Sequence, residues 1–370
     1  MPTSPLTPVT VLTGFLGSGK TTLLNRLLKQ PAAANSAVLI NEFGAVPIDH
    51  LLVREASENV VVIDNGCICC SVQGDLVRAL RELYFGRADG SVPPFDRVII
   101  ETTGLADPAP VLRSLIELPV VAARYSLAGV VTTVDAVHGA GQLDAHFEAV
   151  KQAAMADRIV ITKADLAEPA ALEALRERLA RLNPRARILA AVHGDVDATA
   201  VLDTALYRSG GTADVAGWLG DTAATPPARR YLPAAAPHDA RIASFVVDYT
   251  EPVIWDALRD GVETLLDLHG ERILRMKAIV NTGDARPRVL HAVQHTLYPY
   301  ATLPAWPDHD PDRRTRLVFI TRDLERGAAA AILDKFLRVA PMPAPSSAPV
   351  PAQPAFATSP TSPTAVGDPQ

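Results

Sequence analysis

From Val9 to about Leu202, short runs of β-branched apolar residues alternate with stretches whose apolar positions recur every three or four residues. Residues 9–13, 37–41, 60–63, 97–101, 129–134 and 158–162 are the predicted strands, and 21–29, 74–84 and 169–182 are among the predicted helices. Strand-helix alternation is the pattern of a parallel sheet covered by helices. Sequential parallel strands require right-handed helical crossovers, so the expected topology is α/β, a doubly wound and mostly parallel sheet.

Between residues 209 and 240 the pattern lapses into Gly, Ala, Pro and Thr, as in a linker. Beyond it, 242–249, 273–281, 289–294 and 317–321 read as strands and 253–268 and 328–337 as helices, which predicts a smaller α+β domain. Proline recurs throughout residues 341–370, too often for a packed element. The expected division is a first domain at 1–205, a linker at 206–240, a second domain at 241–338 and a disordered tail at 339–370.

The 370 residues are 48% hydrophobic and 21% charged, the composition of a folded chain with room for two cores. Lys and Arg number 35 against 41 Asp and Glu, a formal charge of -6, which argues against nucleic acid or an anionic membrane as partner. The first residues have no basic stretch followed by an apolar core, and the longest uncharged run is rich in Pro and Ser. A cytoplasmic protein is therefore expected, in a compartment that keeps its three cysteines reduced.

Gly14-Phe-Leu-Gly-Ser-Gly19-Lys20-Thr21 fits the pattern G-x-x-x-x-G-K-[ST] between a predicted strand and a predicted helix. Gly14, Gly17 and Gly19 allow the backbone around Ser18 to turn its N–H groups inward, at a helix N-terminus that also includes Thr22 and attracts polyphosphate. Lys20 is placed to reach the terminal phosphates and Thr21 to ligate magnesium. A Gly-rich strand-to-helix turn is the structural alternative.

Phosphates bound there lie outside the carboxyl ends of the strands, so a second magnesium-side group is expected at a neighbouring strand end. Glu101, closing the strand 97–101, meets that requirement, and Gly104 offers an N–H to sense the γ-phosphate; an exposed strand end is the alternative. After the strand 158–162 comes Thr162-Lys-Ala-Asp165. Asp165 is suited to accept both N–H donors of guanine and the Lys163 stem to cover the base, which favours GTP over ATP, although Thr162 offers fewer hydrogen bonds than an asparagine would.

Cys67, Cys69 and Cys70 cluster between a predicted strand and a predicted helix, on the sheet edge expected to hold the phosphate loop. Thiolates suit zinc or copper(I) better than magnesium or calcium, with cobalt and nickel also within range. Three ligands leave a tetrahedron open for a client's ligand to enter. Buried structural cysteines or a redox pair are the alternatives.

These residues together resemble the CobW family of P-loop GTPases, most closely its YjiA-like branch, which shares its class with UreG and HypB. The resemblance rests on GFLGSGKTT from Gly14, NEFG from Asn41, NGCICC from Asn65, ETTGLADP from Glu101, VDAVH from Val134 and TKAD from Thr162. It continues through RILRMKAIV from Arg272, VQH from Val293 and RLVFITRDL from Arg316, covering about residues 8–338. It implies a GTP-hydrolysing metallochaperone, with GTP, magnesium and zinc (or cobalt) as cofactors and an apo-metalloprotein as client. By match, Cys67, Cys69 and Cys70 inherit the zinc, and Lys20, Thr21 and Glu101 the phosphate and magnesium roles. Glu42 and Asp49 fall on the family's acidic switch positions; read without the match, Glu42 is equally a solvated loop carboxylate.

Two departures stand out. Ala45 follows NEFG where the family commonly has Glu, and the linker contains His238 in place of a His-rich tract. His291 and His295 fall on one face of either a strand or a helix and read as surface imidazoles, with metal or client binding as the alternative. Two other functions fit a phosphate loop, a small-molecule kinase and a scaffold with a structural metal, but the sequence marks no acceptor pocket for the former.

Overall fold

The computed structural model describes residues 6–40, 61–64, 72–203, 241–306 and 312–339. The expected linker and tail, together with Glu42, Ala45, Asp49, Cys67, Cys69, Cys70 and His238, lie outside the described residues.

The first sheet contains β1 (Thr7–Gly14), β2 (Ser36–Ile40), β3 (Val61–Asp64), β4 (Arg97–Glu101), β5 (Tyr125–Asp135), β6 (Arg158–Thr162) and β7 (Arg187–Ala190), in the order β3-β2-β4-β1-β5-β6-β7. Every pairing is parallel, so all seven carboxyl ends lie on one edge. The winding reverses at β1, which has β4 on one side and β5 on the other, and this is where open α/β sheets bind ligands. Alternation along the strands feeds two cores. Val9, Val11, Val98 and Ile100 pack under helices α2 (Val72–Asp89) and α3 (Ala109–Glu117), whereas Leu12 and Ile99 face α1 (Lys20–Leu28).

Helices α4 (Pro119–Ala122), α5 (Gly139–Ala145), α6 (Phe147–Met155), α7 (Pro169–Leu182) and α8 (Ala198–Leu202) complete this unit. Strand β7 was not among the predicted strands. Its side chains are exposed or half-buried in an edge position, so it carries little of the alternation by which strands are read. Strand β5 begins at Tyr125, earlier than the predicted 129, through half-buried residues of weak patterning.

The second sheet is antiparallel. It contains β8 (Ile242–Tyr249), β9 (Ile273–Val280), β10 (Arg288–Val293), β11 (Thr296–Leu297) and β13 (Thr315–Arg322) in the order β11-β10-β9-β13-β8, with β12 (Ala301–Thr302) paired to β10. Helices α9 (Trp255–His269) and α10 (Arg326–Val339) cover the face to which β9 turns Met276, Ala278 and Val280. The opposite face contacts the first unit, where Leu274 and Ile320 pack on Ala154 of α6.

That junction corrects the reading of His291 as a surface imidazole. His291 is 3% exposed in β10, stacked on Tyr298, while His295 is exposed in the turn that follows. Burial, with the Arg275 charge beside it, holds the His291 pKa well below the usual imidazole value. Alternation along the sequence could not distinguish a core strand from a surface one here, because burial of this face depends on the docking of two units.

Candidate functional site

The loop between β1 and α1 is shaped by glycine. Gly14, Gly17 and Gly19 all have positive φ, at 145°, 71° and 84°. A Cβ on Gly14 would stand 2.2 Å from Thr133 Oγ1, so this position also demands close approach to β5. Ser18 is fully buried, its hydroxyl 2.6 Å from that of Thr133, and therefore pins the loop to β5. Lys20 Nζ donates to the carbonyls of Gly14 (3.1 Å) and Phe15 (3.3 Å), spanning the concave side of the loop. Thr22 is exposed in the first turn of α1.

Thr21 and Glu101 come together. The Thr21 hydroxyl donates to Glu101 Oε1 across 2.7 Å, and Glu101 is 3% exposed at the end of β4. Register explains the meeting: Glu101 lies beside Leu12 of β1 and Ile40 of β2, so the carboxylate reaches the edge where α1 begins. Hard hydroxyl and carboxylate oxygens converging beside a phosphate loop fit a magnesium ion. Beyond Glu101 the chain turns back over the loop. Thr102 bonds Thr13 hydroxyl to hydroxyl at 2.8 Å, and a Cβ on Gly104 would lie 2.7 Å from the Leu16 backbone nitrogen. Gly104 thus rests directly on the phosphate loop.

The third segment follows β6. The Thr162 hydroxyl donates to the Ser18 carbonyl at 2.7 Å, so it ties β6 to the phosphate loop even without an asparagine amide. Lys163 has φ 54° and sends Nζ to the Gly17 carbonyl (2.9 Å) and to Asp135 Oδ2 (2.6 Å). Asp165 lies 3.7 Å from His193 Nε2, at a turn whose Ala191 carbonyl receives the Ala164 N–H.

Three residues here were given no role by the sequence reading. Asp135 is 1% exposed and accepts the backbone N–H groups of Val137 and His138 besides Lys163. Burial raises its pKa, but Lys163 and the two N–H donors outweigh that and hold it below the ordinary carboxylate value. Its signal was a lone carboxylate ending an apolar strand, the same signal that identified Glu101. His193 and Gln152 had none, since their positions depend on tertiary folding.

The cysteines lie outside the described residues; β3, which precedes them in sequence, ends at Asp64, in register with Ile40, on the same edge as the phosphate loop. Among the described residues, no group of three or more His, Cys, Asp or Glu is arranged to hold a metal.

Comparison with known proteins narrows the reading. The CobW/HypB/UreG nucleotide-binding domain matches residues 8–190, and the cobalamin synthesis protein CobW C-terminal domain matches 242–337. The zinc chaperone YjiA of Escherichia coli is 36% identical over 312 residues, covering 84% of this chain and 93% of the relative. The chain belongs to the CobW/HypB/UreG family. Among other members, the zinc chaperone CobW of Pseudomonas aeruginosa is 34% identical over 51% of this chain and 57% of its own length. The zinc-regulated GTPase metalloprotein activator 1 of Saccharomyces cerevisiae is 26% identical over 89% of this chain. The crystal structure of Zn(II)-bound YjiA GTPase from E. coli superposes with a TM-score of 0.66 at 30% identity, covering 90% of this chain and 99% of that one. The chain thus shares the fold of that structure: a P-loop sheet followed by an antiparallel C-terminal sheet.

Proposed function

We propose that this chain hydrolyses GTP at the loop 14–21 and uses the turnover to hand a zinc ion, carried by Cys67, Cys69 and Cys70, to a client apo-metalloprotein. The observation that carries the reading is the Thr21–Glu101 contact at 2.7 Å, because it joins the start of α1 to the end of β4 where a nucleotide-bound magnesium ion would lie. Lys20, the N–H groups of residues 14–22 and the start of α1 supply positive potential to the phosphates. Magnesium, when bound, neutralises the charge that develops on the phosphoryl oxygens. Glu101 and Thr21 would hold it, Gly104 would face the γ-phosphate, and Asp165 with Lys163 would select guanine.

The relatives' names support zinc as cargo, and so does thiolate chemistry, with cobalt as the second candidate. The cysteines follow Asp64 at the carboxyl end of β3, the sheet edge shared with the loop, so metal and nucleotide would lie on one side of the molecule. Glu42 and Asp49 fall in sequence between β2 and β3, where a switch segment would connect the two. Free thiols require a reducing compartment, hence the cytoplasm. Among the described residues, no helix is long and apolar enough to cross a membrane.

The test is native metal analysis of the purified protein with GTP and with GDP, followed by zinc transfer to a candidate apo-enzyme. Zinc bound in the GTP form and passed on after hydrolysis is the expected result. Equal zinc affinity in both nucleotide forms would remove the coupling.

A further inference from the structure

Helix α6 touches both ends of the molecule's business. At its start, His146 stacks on Phe15 of the phosphate loop, ring centroids 4.5 Å apart. In its middle, Gln152 is 1% exposed and donates both amide hydrogens to the loop after β4, to Gly104 O (3.3 Å) and Ala106 O (3.0 Å). Lys151 pairs with Asp107 of the same loop. At its end, Met155 O accepts from the Arg275 guanidinium of β9, and Asp157 is held by Arg275 and by Lys277 at 3.1 Å. Nine helical residues span about 13 Å, so a single stiff element joins the loop to the second domain.

We infer that Gln152 is a positioning residue for GTP turnover, and that α6 conveys the state of the 102–108 loop to the second domain through the Asp157–Arg275–Lys277 cluster. The inference rests on the reading of Gly104 as the γ-phosphate-facing residue. In this inference the Gln152 amide offers the loop a second arrangement beside the one in the structure. Both donors are engaged by carbonyls, while Oε1 is buried with no hydrogen-bond partner among the described residues. A buried bare acceptor is costly and is relieved if a peptide of the loop turns an N–H toward it. A loop that swings its Gly104 peptide between phosphate and Gln152 exchanges one set of hydrogen bonds for the other, which is a two-state element. Because α6 is gripped by buried charges at its far end, a shift at Gln152 displaces Met155 O and Asp157 against β9 rather than dissipating in solvent.

The experiment is a double-mutant cycle on GTP turnover by the full chain with magnesium: wild type, Gln152→Met, Lys277→Met and both. Gln152→Met keeps length and removes the donors; it should lower kcat about tenfold while GDP affinity stays within about twofold. Lys277→Met, in the other domain, should change kcat about threefold or more, and should have no further effect in the Gln152→Met background. If Lys277→Met fails to fold by thermal melt, Lys277→Gln, which keeps a donor for Asp157, replaces it in the cycle. Independent, additive effects, or wild-type kcat in a folded Lys277 variant, would overturn the inference. Lys20→Ala run alongside separates the two readings: an inactive Lys20→Ala with an additive cycle defeats this inference alone, whereas wild-type turnover in Lys20→Ala defeats the phosphate-loop reading beneath it.

Discussion

Thr21 and Glu101, 80 positions apart in sequence, meet hydroxyl to carboxylate at 2.7 Å. The contact follows from parallel pairing, which sets the end of β4 beside the end of β1 and so beside the helix that β1 leads into. These two oxygens are the proposed magnesium ligands.

Glu101→Gln keeps the shape of that contact and removes its charge. Turnover should fall by about 100-fold or more, and the magnesium concentration for half-maximal rate should rise. GTP hydrolysis titrated with magnesium for both proteins checks this; an unchanged magnesium dependence would show that the ion lies elsewhere.

Base selection is tested at Asp165. A carboxylate that accepts two N–H bonds becomes, in Asp165→Asn, an amide with one accepting end. Affinity for GTP should drop at least about tenfold and xanthosine triphosphate should gain ground. Competition of the two nucleotides in one turnover assay reads the change directly. A preference of the wild-type protein for ATP would contradict the assignment at the outset.

Much of this site was legible before folding because its chemistry is local. The glycines, Lys20 and Thr21 occupy one segment, Glu101 closes an apolar strand and Asp165 follows another. What stayed hidden was set by docking. Gln152 reads as one more polar residue on an amphipathic helix, yet it is buried beneath the 102–108 loop. His291 reads as a surface imidazole, yet the first unit covers its face of the second sheet. Thr162 reads as a weakened asparagine, yet its hydroxyl finds the Ser18 carbonyl.

The buried charges between the domains make stability rise with pH in two separate windows. Burial raises the Asp157 carboxyl, but Arg275 and Lys277 outweigh it and hold it well below the usual 3.8, so its contribution is present above that value and is lost in acid. Burial, with Arg275 beside it, pulls Lys277 from 10.5 down to about 7 against the attraction of Asp157. Below about pH 7 the folded chain carries that desolvation penalty in full, and the penalty is relieved as pH rises toward 10.5, where the unfolded chain also loses its proton. Denaturant melts from pH 6 to 10 should show stability rising across this window in the wild type and a flatter profile in Lys277→Met. Asp157→Asn should cost about 3–5 kcal/mol at neutral pH, because Arg275 would be left buried without its counter-charge. A loss under about 1 kcal/mol would show that the cluster is solvated.

Coupling between metal on the cysteines and nucleotide on the loop is read most directly from GTP turnover against free zinc for wild type and Cys69→Ser. Serine exchanges a thiolate for a hydroxyl that stays protonated near neutral pH, so one of three ligands is lost while the phosphate loop and Asp165 are untouched. If the two sites are coupled, zinc stimulates hydrolysis in the wild type, and Cys69→Ser binds GTP normally, binds zinc far more weakly by calorimetry and shows no stimulation. Undiminished zinc affinity in Cys69→Ser, or weakened affinity with stimulation intact, would contradict it.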